Sequence, residues 1–200
     1  MKTNQRLWRW LGLIFILSFG ALGYLGRQIY LAAPPIPHAV VTSVGEVLFT
    51  GEQIQRGQEA WLAAGGQQLG TVWGHGSYVA PDWSADWLHR EATALQAIRA
   101  HQQFDTDAPL TTVQQAAVDA SVKEEMRRNT YDANHDILTV SRERAEAIHG
   151  VAQHFEALFG TDPSLATLRD QYAMATGVLP EAADREALAA FFFWTSWAAA

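Results

Sequence analysis

Residues 73–87 read W-G-H-G-S-Y-V-A-P-D-W-S-A-D-W, and this mixture of aromatic, glycine and ionisable residues decides how the chain is interpreted. Glycines at 74 and 76 allow positive φ or a close approach of the backbone, and the tryptophan and tyrosine rings usually find a polar partner. We therefore expect a rigid loop that carries a binding or docking surface. A tryptophan-rich corner of the core, with a satisfied histidine, is the competing interpretation. The loop offers no nucleophile with an adjacent base.

Helix signals on both sides of this loop predict a mainly α fold. Upstream, Thr50 with Gln53 at position N3 has the pattern of a capping box. Downstream, Asp82 or Ser84 can cap the next helix, because either side chain can accept from the orphan N–H groups of a first turn. The predicted segments are, in order, a strand or extended stretch at 40–49, helices at 50–64, 87–104 and 111–128, an extended stretch at 137–140, and helices at 141–160, 162–177 and 180–200.

Composition excludes several classes of site. The net charge is −7, and no segment concentrates lysine and arginine, so a nucleic-acid surface is not expected. The chain has no cysteine. Disulfides, iron–sulfur clusters, thiolate zinc sites and covalent attachment of a c-type haem are therefore all excluded. Histidine, carboxylate, tyrosine and backbone groups remain as possible ligands.

An apolar segment near the N-terminus predicts one membrane span. Residues 10–26 carry no charge, and Lys2, Arg6, Arg9 and Arg27 flank them. With its neighbours the segment reaches the ~20 residues that a bilayer requires. The positive-inside rule places the N-terminus in the cytoplasm and the rest of the chain in the periplasm of a Gram-negative cell. A cleaved signal peptide is the alternative, but the segment is long for one and lacks a good cleavage site.

Other charged groups carry weaker signals. The runs at 123–128 and 141–146 alternate in sign at helical spacing and predict solvated helix faces. His149 and His154 are five residues apart and do not form an i, i+4 metal pair. His135, between two aspartates, could bind a metal, although a solvated turn is the preferred interpretation.

Two stretches carry a family resemblance. R-G-Q-E-A-W at 56–61 and G-T-V-W-G-H-G-S-Y-V-A-P-D-W-S-A-D-W-L-H-R-E-A at 70–92 resemble the N-terminal region of bacterial quinol-dependent nitric oxide reductases. Those proteins resemble a fusion of an anchored cytochrome-c-like subunit with a large haem-containing membrane subunit of the haem-copper oxidase superfamily. The resemblance extends over the whole chain, and 56–92 is its distinctive part. It implies a cytochrome-c-like fold with added helices.

The resemblance also implies that this fold has lost its haem. The cytochrome-c relatives have C-x-x-C-H after a helix that ends in tryptophan. At the same spacing after Trp61, this chain has Gly66 and Leu69 in place of the cysteines and Gly70 in place of the axial histidine. Neither thioether attachment nor iron ligation is possible there. The family instead takes its electrons from quinol inside the membrane.

Two site residues follow from the resemblance. In the relatives, a glycine carbonyl and a tyrosine hydroxyl of this loop lie beside a calcium ion and haem propionates of the large subunit, and they correspond to Gly76 and Tyr78. Oxygen ligands suit calcium. His75 stands where the relatives have a glutamate, so an identical ion site is not implied. Further residues expected to pack or pair at the same boundary are Trp83, Asp86, Trp87, His89 and Arg90.

The implied function belongs to a longer protein, because the chain stops inside an apolar segment without a cap. The full protein would reduce two NO to N2O with electrons from quinol. Its b-type haems, non-haem iron and quinol site would lie in a downstream catalytic region, so we name no catalytic residue and expect this fragment alone to be inactive. The expected partners are the membrane, that catalytic region, quinol and NO, and a homodimer stays open.

These inferences give a domain organisation. The predicted segments are a cytoplasmic basic segment at 1–9, a transmembrane helix at 10–31, a proline-rich extended linker at 32–49, a periplasmic haem-less cytochrome-c-like helical domain at 50–186, and an apolar helix leading towards the next span at 187–200.

Two other functions compete with the reductase. A bacterial sensor ectodomain shares the layout of one N-terminal span, a helical outer domain and an apolar end. It does not explain the glycine-aromatic loop. A cleaved periplasmic binding protein would require processing near Ala33 and an open ligand pocket. Several histidine-bearing spans downstream would indicate the reductase, whereas one span followed by a cytoplasmic coiled coil would indicate the sensor.

Overall fold

The computed structural model describes residues 2–104 and 109–200 and divides into two compact units, residues 1–35 and 36–200. Residues 1 and 105–108, which belong to the predicted segments 1–9 and 50–186, lie outside the described residues. The first unit is a helix, α1 (Lys2–Leu31), whose apolar side chains are exposed along its length. Within it, Asn4–Leu31 is the one helix of the described residues that is long and apolar enough to span a membrane, with a mean hydropathy of 1.5.

The second unit is mainly helical with one small sheet. Its helices are α2 (Gly51–Ala63), α3 (Trp83–Phe104), α4 (Thr112–Arg127), α5 (Arg142–Phe159), α6 (Ala166–Gln171) and α7 (Ala182–Trp197). Its strands are β1 (Ala39–Thr42), β2 (Val47–Thr50), β3 (Tyr131–Asp132) and β4 (Ile137–Val140). Short 3-10 turns lie at Gly66–Leu69 and Pro163–Leu165. The predicted domain boundaries stay predictions.

The helix caps predicted from the sequence are present. The hydroxyl of Thr50 accepts from the N–H of Gln53 at 3.2 Å, and the Gln53 side chain accepts from the Thr50 N–H at 2.9 Å. Thr111 and Gln114 form the same reciprocal pair at the start of α4. Ser141 caps α5. Each cap satisfies N–H groups that the first turn leaves without a helical partner.

The sheet joins segments that are far apart in the chain. Its strand order is β2-β1-β4-β3, with β1 antiparallel to β2 and parallel to β4, and β3 antiparallel to β4. The single extended stretch predicted over 40–49 is therefore a hairpin, which turns at Gly45 with φ +86°. The parallel partner of β1 arrives almost 100 residues later: Val40 lies opposite Leu138.

Helix α7 is the centre of the second unit. The core-facing residues of α2, Ile54, Gly57, Ala60 and Trp61, are buried, and α2 packs against α7. A Cβ atom added to Gly57 would lie 1.9 Å from the carbonyl oxygen of Ala187, so the two helix backbones touch there. The apolar stretch at 187–200 was predicted as a segment separate from the helical domain. Its residues from Ala187 to Ser196 are buried within unit 36–200, because α2, α3 and α5 all pack against α7.

The predicted fifth helix is shorter than expected. Helical structure ends at Gln171, and the chain then turns, with Gly177 at φ +68° donating to the carbonyl of Gly160 at 2.8 Å. The side chain of Arg169 stabilises the turn between α5 and α6. It is buried, and its guanidinium donates to backbone carbonyls at and beyond the end of α5, those of Ala157, Leu158 and Asp162.

Candidate functional site: the aromatic loop

The aromatic loop, residues 70–82, connects the first 3-10 turn to α3 and is closed at its base by backbone pairing. Thr71 donates its N–H to the carbonyl of Pro81 at 3.2 Å, and Trp83 donates its N–H to the carbonyl of Thr71 at 2.8 Å. This pairing holds the two ends of the loop together. It also starts α3 at Trp83, before the start of the predicted helix at 87–104.

Asp82 organises the inside of the loop. Its Oδ2 accepts from the Thr71 hydroxyl at 2.7 Å and from the Gly74 N–H at 2.6 Å, while its Oδ1 accepts from the Ala85 N–H at 3.0 Å. One carboxylate therefore caps α3, as the sequence predicts, and orders the loop backbone. Charge-assisted bonds of this kind are the stronger class of hydrogen bond, so the loop is rigid at its base.

The two predicted site residues lie at the tip of the loop. Gly76 has φ +81° and donates its N–H to the Thr71 hydroxyl at 2.8 Å. A Cβ atom there would lie 2.9 Å from the carbonyl oxygen of Ala80, so the turn requires glycine. Tyr78 is fully exposed, and His75 is exposed beside it. The loop thus presents a tyrosine from an ordered backbone, and the binding roles of Gly76 and Tyr78 stay predictions.

Trp73 connects the aromatic loop to α7 through a hydrogen bond and a ring contact. Its backbone has φ +55°, which is uncommon for a residue other than glycine. The ring is half exposed, yet its Nε1 donates to the carbonyl of Thr195 on α7 at 2.7 Å, and it packs against Trp194 with ring centres 5.5 Å apart. This hydrogen bond fixes the position of the loop relative to α7.

Trp83 and Trp87 belong to the core, so the expectation that they contact a neighbouring region is wrong. Both are completely buried. The Trp83 ring stacks on Phe192 with centres 5.6 Å apart, and the Trp87 ring stacks on Phe155 at 5.3 Å. The other rings packed edge-on against Trp83 are Phe155, Phe159 and Tyr172. For these two tryptophans the core interpretation of the sequence is correct.

Gly70 leaves no room for a side chain. It has φ +113°, and an added Cβ atom would lie 2.3 Å from Nε1 of Trp83. That nitrogen donates to the carbonyl of Leu69 at 2.9 Å, so the indole is held in place. The position therefore accepts only glycine, and Trp83 fills the space beside it.

Comparison with known proteins decides the family. The family of NorB cytochrome c-like domains, which are parts of nitric oxide reductase, matches residues 37–200. The chain belongs to this family. The predicted fold class, mainly α with an N-terminal apolar helix and a cytochrome c-like domain, is confirmed. A comparison with curated proteins finds no match. Together with the apolar helix α1, membership of the nitric oxide reductase family indicates association with a membrane.

Asp86 and Arg90 near the start of α3 form an ion pair with each other, and the expectation that Asp86, His89 and Arg90 lie at the boundary with the catalytic region stays a prediction. Asp86 accepts from Arg90 at 2.8 Å. His89 is exposed and lines a groove between α3 and α5 together with His154. Burial, with the charge of Arg90, lowers the pKa of the His154 imidazole, while Asp86 opposes the shift. His154 is thus held in its neutral form more strongly than a free histidine.

A buried ion pair was missed by the sequence reasoning. Glu91 accepts from Nε1 of Trp87 at 2.8 Å and from Nε of Arg144 at 2.6 Å, and both charged side chains are buried. The prediction that the run 141–146 is a solvated face is therefore wrong for Arg144. The available signal was the i, i+4 spacing of Trp87 and Glu91 on a helix whose tryptophan faces the core.

The histidines give no metal centre among the described residues. No group of three or more histidine, cysteine, aspartate or glutamate side chains there could hold an ion. His135 lies in an exposed turn with its Nδ1 2.6 Å from Asp132, which agrees with the preferred interpretation of a solvated turn. His149 contacts the side chain of Gln153 instead of a second histidine.

Proposed function

We propose that this chain is the anchor and cytochrome c-like domain of a quinol-dependent nitric oxide reductase, and that it covers the haem side of the catalytic region. The observation that carries the proposal is the family match over residues 37–200, combined with a rigid loop that presents an exposed tyrosine. In this proposal α1 holds the domain at the membrane. Its basic N-terminal flank lies in the cytoplasm and the domain lies in the periplasm.

The domain itself carries no haem in this proposal. The chain has no thiol for covalent attachment, and at Gly70 even a single carbon would meet the ring of Trp83 at 2.3 Å. An axial histidine at that position would have to displace a buried indole from a close-packed aromatic cluster. The residues present do not fit a c-type haem, and this supports electron delivery by quinol instead of through this domain.

The loop tip supplies part of a docking site. Calcium takes six to eight oxygen ligands, and the carbonyl of Gly76 with the hydroxyl of Tyr78 would give two. Asp82 is occupied by three hydrogen bonds, two within the loop and one from the first turn of α3. The loop therefore fits a shared site, in which the catalytic region supplies the remaining oxygens. The tyrosine hydroxyl can equally donate to a propionate of that region.

The test is made on the full-length membrane protein. A reduced-minus-oxidised visible spectrum is recorded beside an assay of NO consumption with a quinol donor. The variant Tyr78→Phe removes one exposed hydroxyl and leaves the fold of the domain unchanged. Val79→Ala, which alters an exposed side chain next to it, is the matched control.

The proposal expects signals of b-type haem without c-type haem, and NO turnover that falls in Tyr78→Phe but not in Val79→Ala. A spectrum without haem would contradict the proposal and favour a sensor. Turnover supported by reduced cytochrome c but not by quinol would contradict the assignment of the donor. Unchanged turnover in Tyr78→Phe would remove the role of the loop tip and leave the assignment to the family intact.

A further inference from the structure

A cavity lined mostly by polar and charged residues lies away from the aromatic loop, where two parallel strands end. Its volume is about 410 Å³, and its lining includes Ser43 directly after β1 and Ser141 directly after β4. Helix α5 begins at the same place. The carboxyl ends of parallel strands, followed by a helix N-terminus, are a common position for anionic ligands, because the first-turn N–H groups and the helix dipole favour negative charge.

Three arginines from three helices line this cavity. Arg99 comes from α3, Arg128 from the C-cap of α4, and Arg144 from the first turn of α5. Arg144 has a side-chain exposure of only 2%, and its Nε is paired with Glu91. Its Nη2 atom is buried without a hydrogen-bond partner among the residues that the structure describes. A buried donor left unpaired is costly, so a small shift of the Arg144 side chain that gave Nη2 an acceptor in the cavity would be favourable.

Two glutamates in the lining hold the other arginines. Glu125 pairs with Arg99 and also accepts from the hydroxyl of Ser141, the N-cap of α5. Glu124 pairs with Arg128, and both of these side chains are well exposed. A carboxylate thus already lies against the start of α5. An arriving anion would be recognised by the same donors and would compete with Glu125 and Glu124 for them.

We propose that this cavity binds a small molecule through a phosphate group. A phosphate offers several acceptor oxygens, which suits guanidinium groups that converge from three helices, and arginine is the preferred partner of phosphate in proteins. The cavity is within the size range of small-ligand sites, so it holds more than the phosphate alone. Three hydroxyls in the lining can contact the organic part: that of Thr139, and those of Ser121 and Thr130 as acceptors, since these two already donate to backbone carbonyls. The proposal does not depend on the function assigned to the aromatic loop.

The test is calorimetric titration of the intact protein in detergent. Inorganic phosphate and glycerol phosphate are the probes, and chloride at matched ionic strength controls for screening. Arg128→Gln removes one exposed guanidinium from the lining. Arg127→Gln is the matched control, because Arg127 is exposed on the same helix but lines a different cavity. Glu125→Gln removes the competing carboxylate charge.

The expected result is saturable binding of both phosphates, weakened about tenfold in Arg128→Gln and unchanged in Arg127→Gln, since one charge-assisted contact is lost. Glu125→Gln should bind phosphate more tightly than the parent protein. Phosphate binding no stronger than that of chloride would overturn the proposal. Equal weakening in the two arginine variants would overturn it as well, because it would show only a general effect of surface charge.

Discussion

Replacement of Gly57 by alanine tests the packing of α2 against α7. Helix propensity alone predicts that the variant is more stable than the parent, whereas the tertiary packing predicts that it is less stable. In an exposed helix, glycine to alanine stabilises by about 1 kcal/mol. Here the new Cβ atom would lie 1.9 Å from the Ala187 oxygen and 2.7 Å from Cβ of Phe191. Backbone atoms cannot rotate away, so α2 and α7 must separate. Overpacking of this kind costs about 3 kcal/mol, which leaves a net loss of about 2 kcal/mol.

The matched control is Gly150→Ala on α5. Gly150 is exposed, and nothing lies within 4 Å of the position of its Cβ atom. Thermal unfolding of the chain in detergent, followed by near-UV circular dichroism, measures both variants. One kcal/mol corresponds to roughly 2–4 °C for a domain of this size. Gly57→Ala should melt about 4–8 °C lower and Gly150→Ala about 2–4 °C higher. A Gly57→Ala protein as stable as the parent would refute the close approach of α2 and α7.

Three further predictions concern ionisable side chains. Glu91→Gln should lower the free energy of unfolding in urea denaturation by about 3–5 kcal/mol, because it leaves Arg144 as a buried charge without its counter-ion. Arg56→Gln breaks an exposed ion pair and should cost less than about 1 kcal/mol in the same assay. Similar costs for the two variants would contradict the difference between the buried and the exposed pair. The pKa of His154 is lowered in the folded protein, so the unfolded chain binds a proton at this histidine more readily than the folded chain does. The stability that the neutral His154 contributes is therefore complete above about pH 6.5, the ordinary pKa of imidazole, and is lost as the pH falls through the pKa of His154 in the folded protein. Melting temperatures at pH 7.5 and 5.5 should therefore differ less in His154→Gln than in the parent, and an equal difference would exclude this histidine as a cause. Asp82→Ala should lower the free energy of unfolding by about 1–2 kcal/mol, because α3 loses its helix cap, and should make the aromatic loop the first site of limited proteolysis. Asp82→Asn should cause smaller changes in both measurements, because its amide oxygen can still accept a hydrogen bond.

Local signals in the sequence predicted the helices well. The capping pairs at Thr50 and Thr111 involve residues three positions apart, so the sequence contains all the information that they require. The carboxylate of Asp82 was likewise predicted as a cap. The start of α3 was placed too late, because its first residue is fixed by backbone pairing between Thr71 and Trp83, which the local pattern does not reveal.

Long-range packing could not be predicted from the same signals. The parallel pairing of β1 with β4 depends on residues almost 100 positions apart. Arg144 lies in a charged run that is typical of a solvated face, and only the position of Glu91 on α3 explains its burial. At the aromatic loop, residue type alone could not separate Trp83, which is in the core, from Tyr78, which is at the tip. The resemblance to the reductase family supplied the expected role of the tip.

The central position of α7 has a consequence for biosynthesis. Arg56 and its partner Asp184 are 128 residues apart, and the buried face of α2 is covered by α7. During synthesis, α2 cannot bury this face until α7, which begins 119 residues after the end of α2, has been translated. Contacts at such separations slow folding and leave apolar surface uncovered in the meantime. Nascent chains that stop before residue 182 should therefore be targets for chaperones and proteases, even though α1 and α2 are already complete.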